Sequence, residues 1–145
     1  RDAWDRRAFE MGVSVAASLA VAGSGEARTV SMHTSDEWIP TASPVAMLDA
    51  LSEMEVSVRR DFEAVVRRCV MERGAISALS IVVGEGTSDD EASRLANIAP
   101  IDVAVSVIRV VPGSARRRRR MSRGVIIDCP SLEDLPVLIS RGVSL

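Results

Sequence analysis

The sequence predicts an α/β domain built on a mostly parallel sheet, and two local patterns carry that prediction. The first is the β-branched apolar run Ile76-Ser77-Ala78-Leu79-Ser80-Ile81-Val82-Val83, which reads as a buried strand. The second lies immediately after it. Gly84-Glu85-Gly86 breaks the strand, and Ser88 with Glu91 three residues later is a capping box that opens a helix. Strand, loop and helix then recur along the chain, which is the alternation that parallel sheets need for their crossovers. Ligands of such sheets gather at the loops leaving the carboxyl ends of the strands. Here that loop offers one carboxylate, Glu85, with no nucleophile, base or phosphate cradle beside it.

A chain of 145 residues is one domain's worth and can bury a core. Its first helix is expected over residues 3–21, where Phe9, Val13, Ala16, Ala17 and Ala20 form one apolar stripe, with Gly23-Ser24-Gly25 ending it. Residues 27–33 alternate as a short strand, and Trp38-Ile39-Pro40 is a candidate partner, since proline is tolerated at a strand edge. Ser43-Pro44 starts a helix reaching about Met54, with Met47, Leu48 and Leu51 inward. Another helix is expected over 60–72, burying Phe62, Val65, Val66, Cys69 and Val70 and stopped by Gly74.

After the strand 76–83 and the capped helix 88–98, Pro100 closes the helix and 101–111 reads as a long strand. Pro112-Gly113-Ser114 is a turn, and 115–123 is an arginine-dominated helix or loop. Residues 124–128 form the last strand. Ser131 opens a terminal helix carrying Leu132, Leu135 and Leu138, in which Pro136 predicts a kink or a late start.

Composition excludes several classes. A net charge of −2 is too small to argue by itself for nucleic acid or an acidic partner. Every one of the 18 basic residues is arginine and tyrosine is absent, which reads as the codon bias of a GC-rich genome. Cys69 and Cys129 lie far apart in apolar surroundings and read as two buried thiols; with His33 the only histidine, zinc chemistry is not expected. No apolar run approaches the roughly 20 residues of a membrane helix. The chain opens in mid-pattern at Arg1 without an initiator methionine, so we expect it to be part of a longer protein, truncated at its amino end.

The loudest local feature is the run Arg116, Arg117, Arg118, Arg119 and Arg120. Such a run can bind nucleic acid or lipid headgroups. It has no interleaved aromatics and comes after a turn, so a solvated basic face, partly offset by Glu133 and Asp134, is the simpler reading. Asp89 and Asp90 fall in a first helical turn, where the helix dipole explains them. His33 has no assignable nucleophile and reads as a strand-end residue. Trp4 and Trp38 are candidate interface anchors, Trp38 more simply a cover for the sheet edge. Gly84-x-Gly86 lacks the third glycine of a dinucleotide site, and no P-loop occurs.

Three segments together resemble a known family. They are Phe9-Glu10-Met11-Gly12-Val13-Ser14-Val15-Ala16-Ala17-Ser18-Leu19-Ala20, then Pro44-Val45-Ala46-Met47-Leu48-Asp49-Ala50-Leu51, then Val125-Ile126-Ile127-Asp128-Cys129-Pro130-Ser131-Leu132-Glu133-Asp134-Leu135-Pro136. In this order and spacing the chain, from Phe9 onward, resembles the carboxyl-terminal part of proteins of domain-of-unknown-function family 58, which are related to von Willebrand factor A domains. The resemblance implies a Rossmann-like sheet flanked by helices and lacking its first, central strand. That strand would lie between the strands 27–33 and 76–83. It would also carry the family's Asp-x-Ser-x-Ser metal motif, which does not occur here.

By position, Thr41 matches the family's single Thr, and Glu85 stands where the pattern has Asp in Thr-Asp-Gly. With Glu for Asp and that Thr lost, two groups fall short of the octahedral oxygen set of Mg²⁺. No metal or cofactor is therefore expected. The resemblance further implies a non-enzymatic, cytoplasmic interaction or scaffold domain. Its partner would be a MoxR-type AAA+ ATPase, and its parent protein would be anchored to the membrane through an amino-terminal segment. The rival class is a phosphate- or nucleotide-binding α/β enzyme whose glycine-rich loop lies upstream of Arg1.

Overall fold

The computed structural model describes residues 6–25, 31–33, 38–39, 43–52, 62–73 and 76–143. Its centre is a four-stranded sheet. β3 (Ala78–Gly84) pairs parallel with β4 (Ala104–Val110), β4 pairs parallel with β6 (Val125–Cys129), and β5 (Arg117–Arg120) closes the other side antiparallel to β6. The expected α/β, mostly parallel architecture is thus present, with β3 and β5 as its two edges among the described residues. A separate two-stranded ribbon joins β1 (Met32–His33) to β2 (Trp38–Ile39), the pairing anticipated for Trp38-Ile39.

Helices cover both faces. On one face α3 (Phe62–Arg73) and α4 (Asp89–Ala96) pack Val66, Ala92, Leu95 and Ala96 onto Ile81, Val83, Val107 and Ile126. On the other, α1 (Arg6–Gly25) and α5 (Leu135–Val143) pack Ala8, Val15, Leu135 and Leu138 onto Ile108, Val110, Ile127 and Cys129. All five residues of β6 are buried, as the central position between β4 and β5 requires. A satellite cluster of Ala20, Ile39, Met47 and Leu51 joins α1 and the ribbon to α2 (Pro44–Ser52).

Several boundaries differ from the sequence reading. α1 runs on through Gly23-Ser24-Gly25 instead of stopping there. Its buried apolar side chains are Ala8, Val15 and Ala20, because the helix serves two clusters on two faces and no single stripe can describe it. Leu48 in α2 is half exposed, while Met47 and Leu51 are buried as expected. Cys69 is half-buried and Cys129 fully buried, and neither is in a disulfide. β4 starts only at Ala104, because residues after Pro100 turn and leave Ile101 exposed.

The arginine run is neither helix nor loop; residues 117–120 are the edge strand β5. Position on an edge suits them, since charged side chains there discourage stray pairing. At the carboxyl end, a 3₁₀ turn at Leu132–Asp134 precedes α5, which places Pro136 in the first turn of the helix, where its missing N–H breaks nothing. This is the late start that Pro136 predicts, and it leaves Leu132 exposed rather than on the buried face.

Candidate functional site

The carboxyl ends of β3, β4 and β6 converge on one cluster of charges. Arg109 is the penultimate residue of β4 and lies in register with Val83 on one side and Asp128 on the other. It shares the sheet face of Val105 and Val107, by the two-residue alternation of strands. Its Nε and Nη2 donate to the two carboxylate oxygens of Asp128 at 2.8 and 3.2 Å, a bidentate pair. Its Nη1 donates to the Thr87 carbonyl and to Asp89 Oδ1, both at 2.9 Å. Four of the five guanidinium N–H groups are therefore used.

The loop after β3 makes this possible. Thr87 N donates to the Gly84 carbonyl and closes a turn. Ser88 then caps α4: its hydroxyl accepts from Glu91 N at 3.2 Å, and Glu91 Oε1 accepts from Ser88 N at 3.1 Å. The capping box is the one the spacing predicts. It sets Asp89 at the first helical position, aimed toward the sheet. Arg119 of β5 completes the cluster, donating through both terminal nitrogens to Asp89, with Nη2 at 3.2 Å from Oδ1, and standing 3.8 Å from Asp128 Oδ2.

Two guanidinium groups thus meet two carboxylates, and the cluster is charge-balanced. The Arg109–Asp128 half is sheltered, with side chains 13% and 12% exposed, whereas Asp89 is 53% exposed. Hydrogen bonding from Arg119, with further help from Arg109, brings the Asp89 carboxyl down from 3.8 to about 2 against the opposing effect of burial. Asp128 in turn holds the Arg109 guanidinium above its ordinary range, and Asp89 does the same for Arg119. A carboxylate so stabilised in its charged form is a weak general base.

Sequence reasoning assigned Asp89 to helix capping alone and singled out neither Arg109 nor Asp128. A signal was present. Ile108-Arg109-Val110 and Ile127-Asp128-Cys129 each place one charge, of opposite sign, inside an apolar strand end. Charges in such surroundings need partners.

Glu85 stands exposed in the turn after β3 and makes no ion pair among the described residues. Thr41 lies outside the described residues. His33 is placed by its backbone only, in β1. Among the described residues no group of three or more His, Cys, Asp or Glu side chains is arranged to hold a metal ion, and no helix is long and apolar enough to cross a membrane. Cys129 is completely buried, its Sγ 3.1 Å from the Ser131 carbonyl, and burial pushes its thiol up from the ordinary range.

The arginines of the 116–120 run have unlike fates. Arg116 pairs with Asp134 at 3.3 Å, the offset anticipated from that acidic neighbour. Arg119 is committed to Asp89 and Asp128. Arg117 and Arg120 are exposed and make no ion pair among the described residues. Arg118 is half-buried, and its Nε and Nη2 are shielded from solvent with no hydrogen-bond partner. The reading of the run as wholly solvated is corrected at Arg118 and Arg119. An edge strand sends alternate side chains onto the two sheet faces, and both of those faces are covered near β6.

Comparison with known family models, curated proteins and solved structures returns no match to this chain.

Proposed function

We propose that the chain is a protein-interaction domain of von Willebrand A-like type, without catalysis of its own, that serves as a scaffold partner of a MoxR-type AAA+ ATPase in the cytoplasm. One observation carries the non-catalytic part of this reading. At the carboxyl end of the parallel sheet, where α/β enzymes hold their substrates, Arg109, Asp128, Asp89 and Arg119 are spent on one another. The groups that chemistry would use are tied into a strut between loop, helix and three strands. The family resemblance read from the sequence supports the partner class, and the mostly parallel sheet with helices on both faces is compatible with it.

The purified chain titrated with a MoxR-type ATPase from the same organism in a calorimeter tests the partner. We expect saturable binding, and a folded chain that fails to bind overturns the assignment. Hydrolysis of generic phosphate or ester substrates by the chain, lost in Glu85→Ala or His33→Ala, would refute the non-enzymatic reading and favour the phosphate-binding rival.

A further inference from the structure

We propose that the outer edge of β5 is a docking site for an acidic, extended peptide segment of a partner protein, which adds to the sheet as a fifth strand. The inference rests on reading the chain as an interaction domain, not on the identity of the ATPase.

The backbone supplies the first half of the site. Met121 N donates to the Gly124 carbonyl at 2.9 Å, and the β5–β6 register continues from that pair through Arg119↔Ile126 and Arg117↔Asp128. Hydrogen-bonded and non-hydrogen-bonded pairs alternate in an antiparallel ladder. Arg117 and Arg119 therefore turn their N–H and C=O groups inward to β6. Arg118 and Arg120 turn theirs outward, to an edge that no described strand covers. An added strand has a ladder to join, the mode by which extended peptides bind sheet edges.

The side chains supply the second half. Arg117 lies on the α4 face and Arg118 and Arg120 on the α5 face, so cations flank the open ladder on both sides. Edge protection alone accounts for exposed charges. It does not account for Arg118, whose Nε and Nη2 are shielded and unpaired. A sheltered guanidinium without a counter-charge is unfavourable, and its long side chain can swing out along the strand to a carboxylate placed beside it. Arg116 and Arg119, by contrast, already hold carboxylates of this chain. Intramolecular pairing has thus served two of the five arginines and left three without a carboxylate of this chain among the described residues.

The same arrangement selects among occupants. A second copy pairing through β5 would set arginines against arginines, and like charges directly opposite repel. An apolar strand would leave the cations unpaired. A nucleic acid could use the charges but not the outward N–H and C=O ladder, and residues 114–124 contain no aromatic side chain on which a base would stack. An acidic strand satisfies both the ladder and the charges. Four residues of β5 span roughly 13 Å, so a hexapeptide covers the edge.

The test uses the full chain and a fluorescein-labelled hexaglutamate, followed by fluorescence polarisation in about 0.1 M salt, where charges beyond roughly 10 Å are screened. We expect saturable binding. It should weaken about tenfold or more in the Arg117→Gln/Arg118→Gln/Arg120→Gln variant, the loss that three exposed ion pairs account for. Circular dichroism checks that this variant remains folded. Independently of any variant, hexaglutamate N-methylated at every residue keeps its charge but has no backbone N–H to give to the ladder from either edge, and it should bind the parent chain clearly more weakly.

Absence of binding, equal binding of the N-methylated peptide, or unchanged binding by the folded triple variant overturns the proposal. Tighter binding of an oligo-dT of equal charge, lost in the same variant, also overturns it and makes the strand a nucleic-acid site. Failure here with retained ATPase binding leaves the interaction-domain reading intact. Binding here without the ATPase removes only that partner.

Discussion

Replacing Arg109 with methionine removes a side chain that touches β6, the β3–α4 loop and α4 together. Methionine keeps most of the aliphatic volume, so the loss is chiefly of charge and hydrogen bonds. Asp128, with its side chain 12% exposed, would keep its charge and lose its bidentate donor, and the Thr87 carbonyl would lose its partner. Removing one partner of a buried ion pair costs about 3–5 kcal/mol. The Asp128 side chain is not fully sheltered, and Arg119 stands 3.8 Å away and can move closer. The expected loss is therefore about 2–4 kcal/mol, shifted about 1 kcal/mol below that range.

Urea denaturation measures it, since a shift of midpoint at constant slope reads as stability. The double variant Arg109→Met/Asp128→Leu should recover much of the loss, because a buried pair replaced by apolar side chains is often close to neutral. The coupling from the cycle should then be at least about 1 kcal/mol. A single-variant loss below about 0.5 kcal/mol, the range of ordinary surface changes, would show that the cluster is solvated decoration and would remove its support for the non-catalytic reading.

Acid should weaken the same cluster from its exposed side. Asp89 has a folded value near 2 against an ordinary 3.8, so its contribution is complete above about pH 4 and is lost as pH falls toward 2. With the side chain 53% exposed, that contribution is at most about 1 kcal/mol, and Asp89→Asn should flatten the acid limb of a stability-against-pH curve by that amount. Gly124 has φ +75°, and a methyl group there would overlap the Val105 carbonyl oxygen and stand 3.1 Å from Val105 Cβ. Gly113 has φ +82° with open space around it. In thermal melts, Gly113→Ala should cost about 1 kcal/mol for its left-handed backbone, and Gly124→Ala distinctly more; equal costs would contradict the close approach of the β5–β6 hairpin to β4. Ser80 is exposed on edge strand β3. Ser77 O accepts from Ala104 N, so alternation turns the Ser80 N–H away from β4. Ser80→Pro should leave the internal ladder whole and reduce any concentration-dependent association seen by light scattering, as proline blocks an edge.

The parts of the fold legible in the sequence are those in which local and tertiary demands agree. The Ser88–Glu91 box, the apolar runs of β3 and β6 and the Trp38-Ile39 partner strand each satisfy a short-range rule that packing then rewards. Misreadings occur where tertiary context decides. The 116–120 run has no strand-like alternation of polarity, and it becomes β5 because the edge beside Ile126 and Ile127 needs a partner whose charges tolerate water. Leu48 resembles its buried neighbours in sequence, yet α2 packs through a satellite cluster too narrow to cover it. The site was the least legible part. Arg109 lies 19 residues from Asp128 and 20 from Asp89 along the chain, and no motif joins them. Only the parallel register of β4 and β6 brings an isolated positive and an isolated negative residue side by side.

That register has a consequence for the order in which the molecule assembles. A strand–helix–strand unit is commonly imagined as closing on itself as soon as its second strand is made. Here the loop and first turn of α4 are fastened through Arg109, whose other hand is held by Asp128, a residue of a strand that emerges 15 positions after β4 has ended. The β3–α4–β4 segment can therefore form its backbone ladder early, but the docking of α4 is completed only on the arrival of β6. In native-state hydrogen exchange, amides of α4 and of β6 should open as one cooperative unit, late in synthesis and together in unfolding, even though the helix lies nearer in sequence to strands that could have held it alone.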